Sequence, residues 1–314
     1  MLCKPSNAKY NKFTLKMAME IAAPHTWPAA ILPTLVAVCA AAAVEHAVSV
    51  SASLVCLLIV VLMQSAVNTF NDYYDFVKGT DSEDDNVDPS DAVLVYNNVN
   101  PKSALRLAVS FLIVAFGLGA YIIYRAGFIP LIIALIGALF VVVYSAGKTP
   151  VSYLPIGELV SGFVMGGLIP LAVYMAITLE FNWIVLFWSS PLIIGIGLIM
   201  FTNNTCDVER DVAARRKTLS VLLGRDKARK LYHAMAYAMI VLILLIVAVY
   251  FSPGLLIAPF MLLAGNTAFK ALMKNPLVQA SRLQAMPQIL TVNVIFGSFY
   301  AVSILFGGLA TLVF

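Results

Sequence analysis

Apolar runs of about twenty residues recur along this chain, separated by short polar stretches, and nothing constrains its fold more. A run of that length matches the helix needed to cross the hydrocarbon core of a bilayer. Of its 314 residues, 61% are hydrophobic and 11% are charged, against roughly 25% charged in soluble domains. The expected spans lie at roughly 21–43, 50–72, 104–124, 128–147, 156–178, 183–203, 231–251, 254–273 and 287–312. The chain therefore reads as an all-α membrane protein of about nine transmembrane helices, a single domain over 1–314.

Nine crossings divide the loops into two sets, and every Lys and Arg except Arg125 falls into one set. Basic residues collect on the cytoplasmic side, so the N-terminus is expected in the cytoplasm and the C-terminus outside. Residues 1–20 form a cytoplasmic segment in which Lys4, Lys9, Lys12 and Lys16 anchor the first span. The loops at 76–101 and 204–230 are also cytoplasmic. The net charge of +4 is thus a signature of topology, and basic–aromatic interleaving for nucleic acid is absent. The four cysteines lack the spacing of a zinc or disulfide framework.

Two of the apolar runs end in paired carboxylates. The first closes with Asn68-Thr69-Phe70-Asn71-Asp72-Tyr73-Tyr74-Asp75, followed by Lys78 and Asp81. The second closes with Asn203-Asn204-Thr205-Cys206-Asp207, then Asp211. Asp72 and Asp75 are i, i+3 neighbours on a helix and Asp207 and Asp211 are i, i+4 neighbours, so each pair shares a face. Carboxylates at a membrane mouth are expensive and mark function. Four of them facing one another call for a cation between them. A hard, oxygen-liganded divalent ion suits, Mg²⁺ above all when substrate phosphates complete its shell.

Asn68-x3-Asp72 and Asn203-x3-Asp207 repeat the same pattern, each closing an even-numbered span. That describes two parallel four-helix units, each giving one acidic motif to the same face, with a ninth helix left over. Between the motifs, Tyr144 and Lys148 sit after the fourth span. Lys148 is either a topological anchor or a cation for a phosphate or an acidic acceptor. The acidic loop from Asp81 to Asp91 reads as a lid or metal-binding loop, or as a solvated surface. Arg215, Arg216 and Lys217 follow the second pair, within reach of a polyphosphate. A phosphate-binding acidic mouth above an apolar bundle suits an amphiphile with a diphosphate head and a hydrocarbon tail. If the tail is allylic, loss of diphosphate leaves a carbocation for aromatic walls to stabilise; Phe70, Tyr73, Tyr74, Tyr144 and Tyr153 are nearby in sequence. Asn68, Asn71, Asn203 and Asn204 add amide groups, and Lys78 and Arg215 can neutralise phosphate oxygens. Membrane acids and a repeat also occur in ion-coupled transporters, although here the acids gather at one mouth and the repeat is parallel.

At these residues the chain resembles the UbiA superfamily of intramembrane prenyltransferases. Asn71-Asp72-Tyr73-Tyr74-Asp75 matches that family's NDxxD motif, Asp207-x3-Asp211 its DxxxD, and Tyr144-x3-Lys148 its YxxxK. In detail it resembles the MenA branch, which prenylates 1,4-dihydroxy-2-naphthoate. The resemblance implies Mg²⁺-dependent ionisation of a polyprenyl diphosphate within the lipid bilayer and attack by an aromatic acceptor; 4-hydroxybenzoate or another acceptor is the alternative. It implies catalytic roles for Asp72, Asp75, Asp207, Asp211, Lys148 and Tyr144. The implied metal ligands are Asp72, Asp75, Asp81, Asp207 and Asp211, and the implied substrate contacts are Asn68, Asn71, Lys78, Asn203, Asn204, Arg215 and Lys217. Two positions depart from the family pattern. The third acid of the first motif would fall at Gly79, leaving Asp81 as the candidate. Where many relatives carry Arg-Pro before the first span, this chain has Ala23-Pro24-His25.

Overall fold

The structure is a computed structural model that describes residues 10–46, 49–79, 93–147 and 149–310. Asp81, with the rest of the acidic loop to Asp91, and Lys148 lie outside the described residues. The described chain is helical throughout, with no strand and one isolated bridge, between Asn11 and Val99.

Leu15–Ile21 (α1) and Pro28–Val44 (α2) form a bent pair, turned by 55° across the 3₁₀ turn Pro24–Thr26. Ala23 sits at φ +48° and Pro24, like Pro28, opens a helical turn. A proline fixes its own φ and disfavours helical geometry in the residue before it, which breaks the helix here. Val50–Lys78 (α3) is capped by the Ser49 side chain and ends on Gly79 at φ +68°, the left-handed C-cap that glycine adopts without steric penalty. It runs about two turns beyond the expected end of the second span, so the first carboxylate pair is helical. After the short Val93–Asn97 (α4) come Pro101–Ala126 (α5) and Ile129–Ser145 (α6).

The next span is a composite. Gly157–Phe163 (α7) passes through a π-helical turn at Val164–Leu168 into Ile169–Thr178 (α8). Ile184–Trp188 (α9) and Ser190–Cys206 (α10) follow, and then the short Val208–Ala213 (α11) and Leu219–Leu223 (α12). Arg225–Tyr250 (α13), Ala258–Lys274 (α14) and Arg282–Ala310 (α15) complete the described chain.

Among the described residues, six helices are long and apolar enough to cross a membrane, or seven if the bent pair is one span. The helices in the places of the fourth and sixth expected spans, α6 and α10, have 17 residues each. That is roughly 26 Å at 1.5 Å per residue, a little under the hydrocarbon thickness. By length and composition the structure thus supports six or seven full crossings of the nine expected. The last helix, left over in the two-unit reading, packs along α2 and against α10, α13 and α14, which ties the end of the bundle to its beginning.

Small residues let helices approach closely, as membrane bundles require. A Cβ on Gly166 would stand 2.6 Å from the Ile193 backbone nitrogen, and one on Gly162 would strike the Ile193 carbonyl. The π turn and these glycines thereby seat the α7–α8 span on α10, the helix that carries the second acidic motif.

Candidate active site

The two acidic segments meet at one cavity of about 390 Å³, within the roughly 300–1,000 Å³ of small-molecule sites. Its polar end is lined by Asn71, Asp72 and Asp75 from α3, by Asn203 and Asp207 at the end of α10, and by Arg210, Arg216 and Arg282. Its far end is apolar, with Phe116, Ile122, Ile133, Phe140, Leu168 and Val173 among its walls. Residues of α13 and α14 take no part in it.

On α3, the i, i+3 spacing brings both Asp72 and Asp75 to the cavity. Asp72 is buried. Asn71 donates through Nδ2 to Asp75 Oδ2 at 3.1 Å and accepts from Ser145 Oγ at 3.0 Å. Lys78 Nζ donates to the Ser145 carbonyl at 2.6 Å and lies 5.6 Å and 5.1 Å from the ring centroids of Tyr74 and Tyr153. The end of α6, where the Tyr144 motif begins, is thereby tied to the first acidic motif. Tyr144 lines the cavity, and its buried hydroxyl has no hydrogen-bond partner among the described residues.

On the second motif, Asp207 terminates α10 and lies 3.3 Å from Arg282 Nε and 3.8 Å from Arg210 Nη1. Arg282 also donates twice to Asn203 Oδ1, at 2.8 and 3.1 Å. Burial raises the Asp207 carboxyl above its usual range, against the pull of Arg282 and Arg210. Asp211 is buried beside it, accepts from the Thr218 hydroxyl at 3.2 Å, and lies 3.6 Å from Arg216 Nη1. Burial pushes it up to about 6, again opposed by Arg216. Glu209 points the other way and is drawn down to about 2 by Arg225, which grips both its oxygens and also donates to the carbonyls of Thr205, Cys206 and Leu277. One arginine therefore anchors the end of α10 from outside the cavity.

A second polar patch borders the same cavity. Asn68 Nδ2 donates to Thr26 Oγ1 at 2.8 Å and to the Ala22 carbonyl at 3.0 Å, and Gln64 Nε2 donates to Thr26 Oγ1 at 3.2 Å. His25 lines the cavity beside them.

Several expected residues stand elsewhere. Asn204 is buried away from the cavity, donating to Glu158 Oε1 at 2.8 Å. Arg215 and Lys217 are exposed and do not border the cavity. Of the five aromatics considered, Tyr144 alone borders it; Phe70 packs with Ala66, Ala108 and Val141, and Tyr73 with the Val93–Val99 cluster. Conversely, Arg282, Arg210 and Gln64 carried no sequence signal beyond their charge or polarity, and Arg216 was indistinguishable from its two basic neighbours.

Among the described residues no group of three or more His, Cys, Asp or Glu converges tightly enough to hold a metal unaided. The donors that line the cavity are nonetheless hard oxygens. Mg²⁺ usually takes only one or two carboxylates and fills its shell with phosphate and water. The site therefore fits a metal that arrives with a phosphate ligand better than a metal held by protein alone.

The chain is similar to known proteins over most of its length. The model of the UbiA prenyltransferase family matches residues 30–295. The 1,4-dihydroxy-2-naphthoate octaprenyltransferase of Bacillus subtilis is 30% identical over 287 residues, 91% of each chain. The Mycobacterium tuberculosis protein of the same name is 31% identical over 251 residues, 78% of this chain and 83% of that one. In fold, the chain is similar to a UbiA homolog from Archaeoglobus fulgidus solved with GPP and Mg²⁺, with a TM-score of 0.59 and 18% identity over 95% of this chain and all of that one. This multi-pass membrane protein belongs to the UbiA prenyltransferase family and is a prenyltransferase.

Proposed function

We propose that the protein transfers a polyprenyl group from polyprenyl diphosphate to 1,4-dihydroxy-2-naphthoate, in an Mg²⁺-dependent reaction of menaquinone synthesis. One observation carries this reading: Asp72, Asp75 and Asp207, distant in sequence, line the polar end of a cavity whose other end is apolar. Such a cavity suits a diphosphate head and a prenyl tail. The acceptor follows from the two naphthoate octaprenyltransferases to which the chain is similar.

Asp72, Asp75, Asp207 and Asp211 would hold the metal, with Asp81 as a further ligand from the acidic loop. When bound, Mg²⁺ neutralises the diphosphate and stabilises it as a leaving group. The protein's own part is positioning and exclusion of water. Asn71 and Ser145 orient Asp75, while Arg282 and Asn203 orient Asp207. Lys78 and Lys148 would neutralise phosphate oxygens, and Tyr144, which lines the cavity, would present its hydroxyl and ring to the substrate. Apolar walls that include Phe116 and Phe140 keep the allylic cation from water. The ring carbon of the acceptor attacks that cation and then loses its carboxylate as carbon dioxide. The patch of His25, Thr26, Gln64 and Asn68 offers hydrogen bonds to the acceptor's oxygens. In this reading 1–314 is one domain in a bacterial cell membrane, with the N-terminus and both acidic motifs cytoplasmic.

The test is prenyl transfer by purified protein with Mg²⁺ and a labelled polyprenyl diphosphate. Dihydroxynaphthoate and 4-hydroxybenzoate are compared, with and without chelator. Chelator-sensitive product from the naphthoate alone is expected. Product from 4-hydroxybenzoate instead would retain the chemistry and overturn the acceptor.

A further inference from the structure

Arg216 stands between the two acidic segments. Its Nη2 lies 3.5 Å from Asp75 Oδ1 on α3, and its Nη1 lies 3.6 Å from Asp211 Oδ1 on α11. Arg282 and Arg210, by contrast, both approach Asp207 on the second segment. These Arg216 separations exceed the roughly 2.7–2.9 Å of a tight charge-assisted hydrogen bond. The guanidinium is attracted to both carboxylates without being locked to either. Its carbon sits 4.5 Å from the Tyr153 ring centroid, a stack that does not depend on which anion it faces. Its Nε is buried and donates to nothing among the described residues.

The backbone is shaped to put it there. Arg215 adopts φ +57°, its N–H donates to the Val212 carbonyl at 3.1 Å, and the Arg216 N–H donates to the Asp211 carbonyl at 2.8 Å. This is the Schellman ending of a helix, in which the left-handed position usually falls to glycine. A side chain there costs roughly 1–2 kcal/mol. Such strain gathers at functional sites, and here it folds the chain back so that Arg216 reaches across to α3.

Resting on the reading above, we propose that Arg216 is a placeholder cation that becomes a diphosphate ligand. In the substrate-free protein it occupies the position between the acids that a divalent metal needs. When diphosphate enters, the guanidinium turns from Asp75 and Asp211 to the phosphate oxygens, for which its planar fork is suited, and stays stacked on Tyr153. The acids are then released to the metal. Metal and diphosphate thus favour each other's binding, and the acids stay neutralised until substrate arrives. Coupling of this kind is reciprocal by thermodynamic necessity.

The test measures Mn²⁺ binding to purified protein in detergent by electron paramagnetic resonance, without substrate. It also measures the Kd of geranyl diphosphate by calorimetry at saturating Mg²⁺. Removing the placeholder in R216Q is expected to tighten Mn²⁺ alone by about tenfold and to weaken geranyl diphosphate by about tenfold, each equivalent to ~1.4 kcal/mol. Opposite signs exclude simple structural damage, which would weaken both. R216K keeps the charge but not the fork; the same signs at smaller size are expected, and it decides the matter if R216Q does not fold. Unchanged or weaker Mn²⁺ binding in the variants, beside Asp72-dependent binding in the wild type, overturns the placeholder alone. Wild-type Mn²⁺ binding that is absent, or the same in D72N, overturns the metal-site reading and the placeholder with it.

Discussion

Gly166→Ala tests how the second acidic motif is held in place. The added methyl carbon would lie 2.6 Å from the Ile193 nitrogen and 2.7 Å from Ile193 Cα and the Leu192 carbonyl carbon. Favourable contacts lie at about 3.5–4.0 Å, so α10 must retreat by roughly 1 Å. All three obstructing atoms are backbone and cannot rotate away. Overpacking of this kind costs about 1–3 kcal/mol. Because α10 carries Asn203 and Asp207, the retreat also opens the distance to Asp72, and a misplacement of ~1 Å can cost about 10²-fold in rate. Gly117→Ala is the control, since a Cβ there meets nothing within 4 Å; in a helix interior Ala is favoured over Gly by up to ~1 kcal/mol. Thermal unfolding in detergent, followed by circular dichroism, should place G166A below wild type and G117A at or above it. Prenyl transfer should fall 10- to 100-fold in G166A alone. If G166A unfolds with G117A and transfers at the wild-type rate, close seating of the α7–α8 span on α10 does not position the site.

Asp72→Asn and Asp207→Asn should each reduce transfer by at least about 10²-fold while leaving the helical circular dichroism unchanged; wild-type turnover would remove these acids from the metal site. Arg282→Gln leaves the buried Asp207 with Arg210 at 3.8 Å, and loss of one partner of a buried pair costs about 3–5 kcal/mol. Unfolding should show most of that loss, and adding D207N should restore part of it; strictly additive losses would mean that the two do not interact. Arg225→Lys cannot span both Glu209 oxygens and three backbone carbonyls at once, so detergent stability should drop by about 1–3 kcal/mol. An unchanged melting curve would show that this clamp contributes little.

Much of the architecture was legible because its causes are local. A bilayer imposes a run length on each helix, and proline and glycine end helices where they stand. That located the crossing to within a few residues over α5 and to within about two turns over α3 and α13, and set Asp72 and Asp75 on one face by helical spacing alone. The two 17-residue helices, α6 and α10, are where run length is a weaker guide: flanking residues extend the apolar stretch beyond α6, and a break at Ser189 divides the sixth apolar run between α9 and α10. The third metal-ligand candidate, Asp81, and Lys148 rest on the sequence alone.

What only the tertiary structure decided is which polar groups meet. From sequence, Arg215, Arg216 and Lys217 are three equivalent cations; a left-handed residue at Arg215 turns the middle one toward the acids and leaves its neighbours exposed. Asn203 and Asn204 are adjacent in sequence, yet the helical step of about 100° between neighbours sends one to the cavity and the other to Glu158. Arg282 reaches Asn203 from 79 residues away, and the last helix, unassigned by the repeat, proves to supply it. Apolar length and periodicity are properties of a segment. The pairing of charges across a cavity belongs to the packed bundle, where burial makes each unpaired charge costly and so selects the arrangement in which acids and arginines face one another.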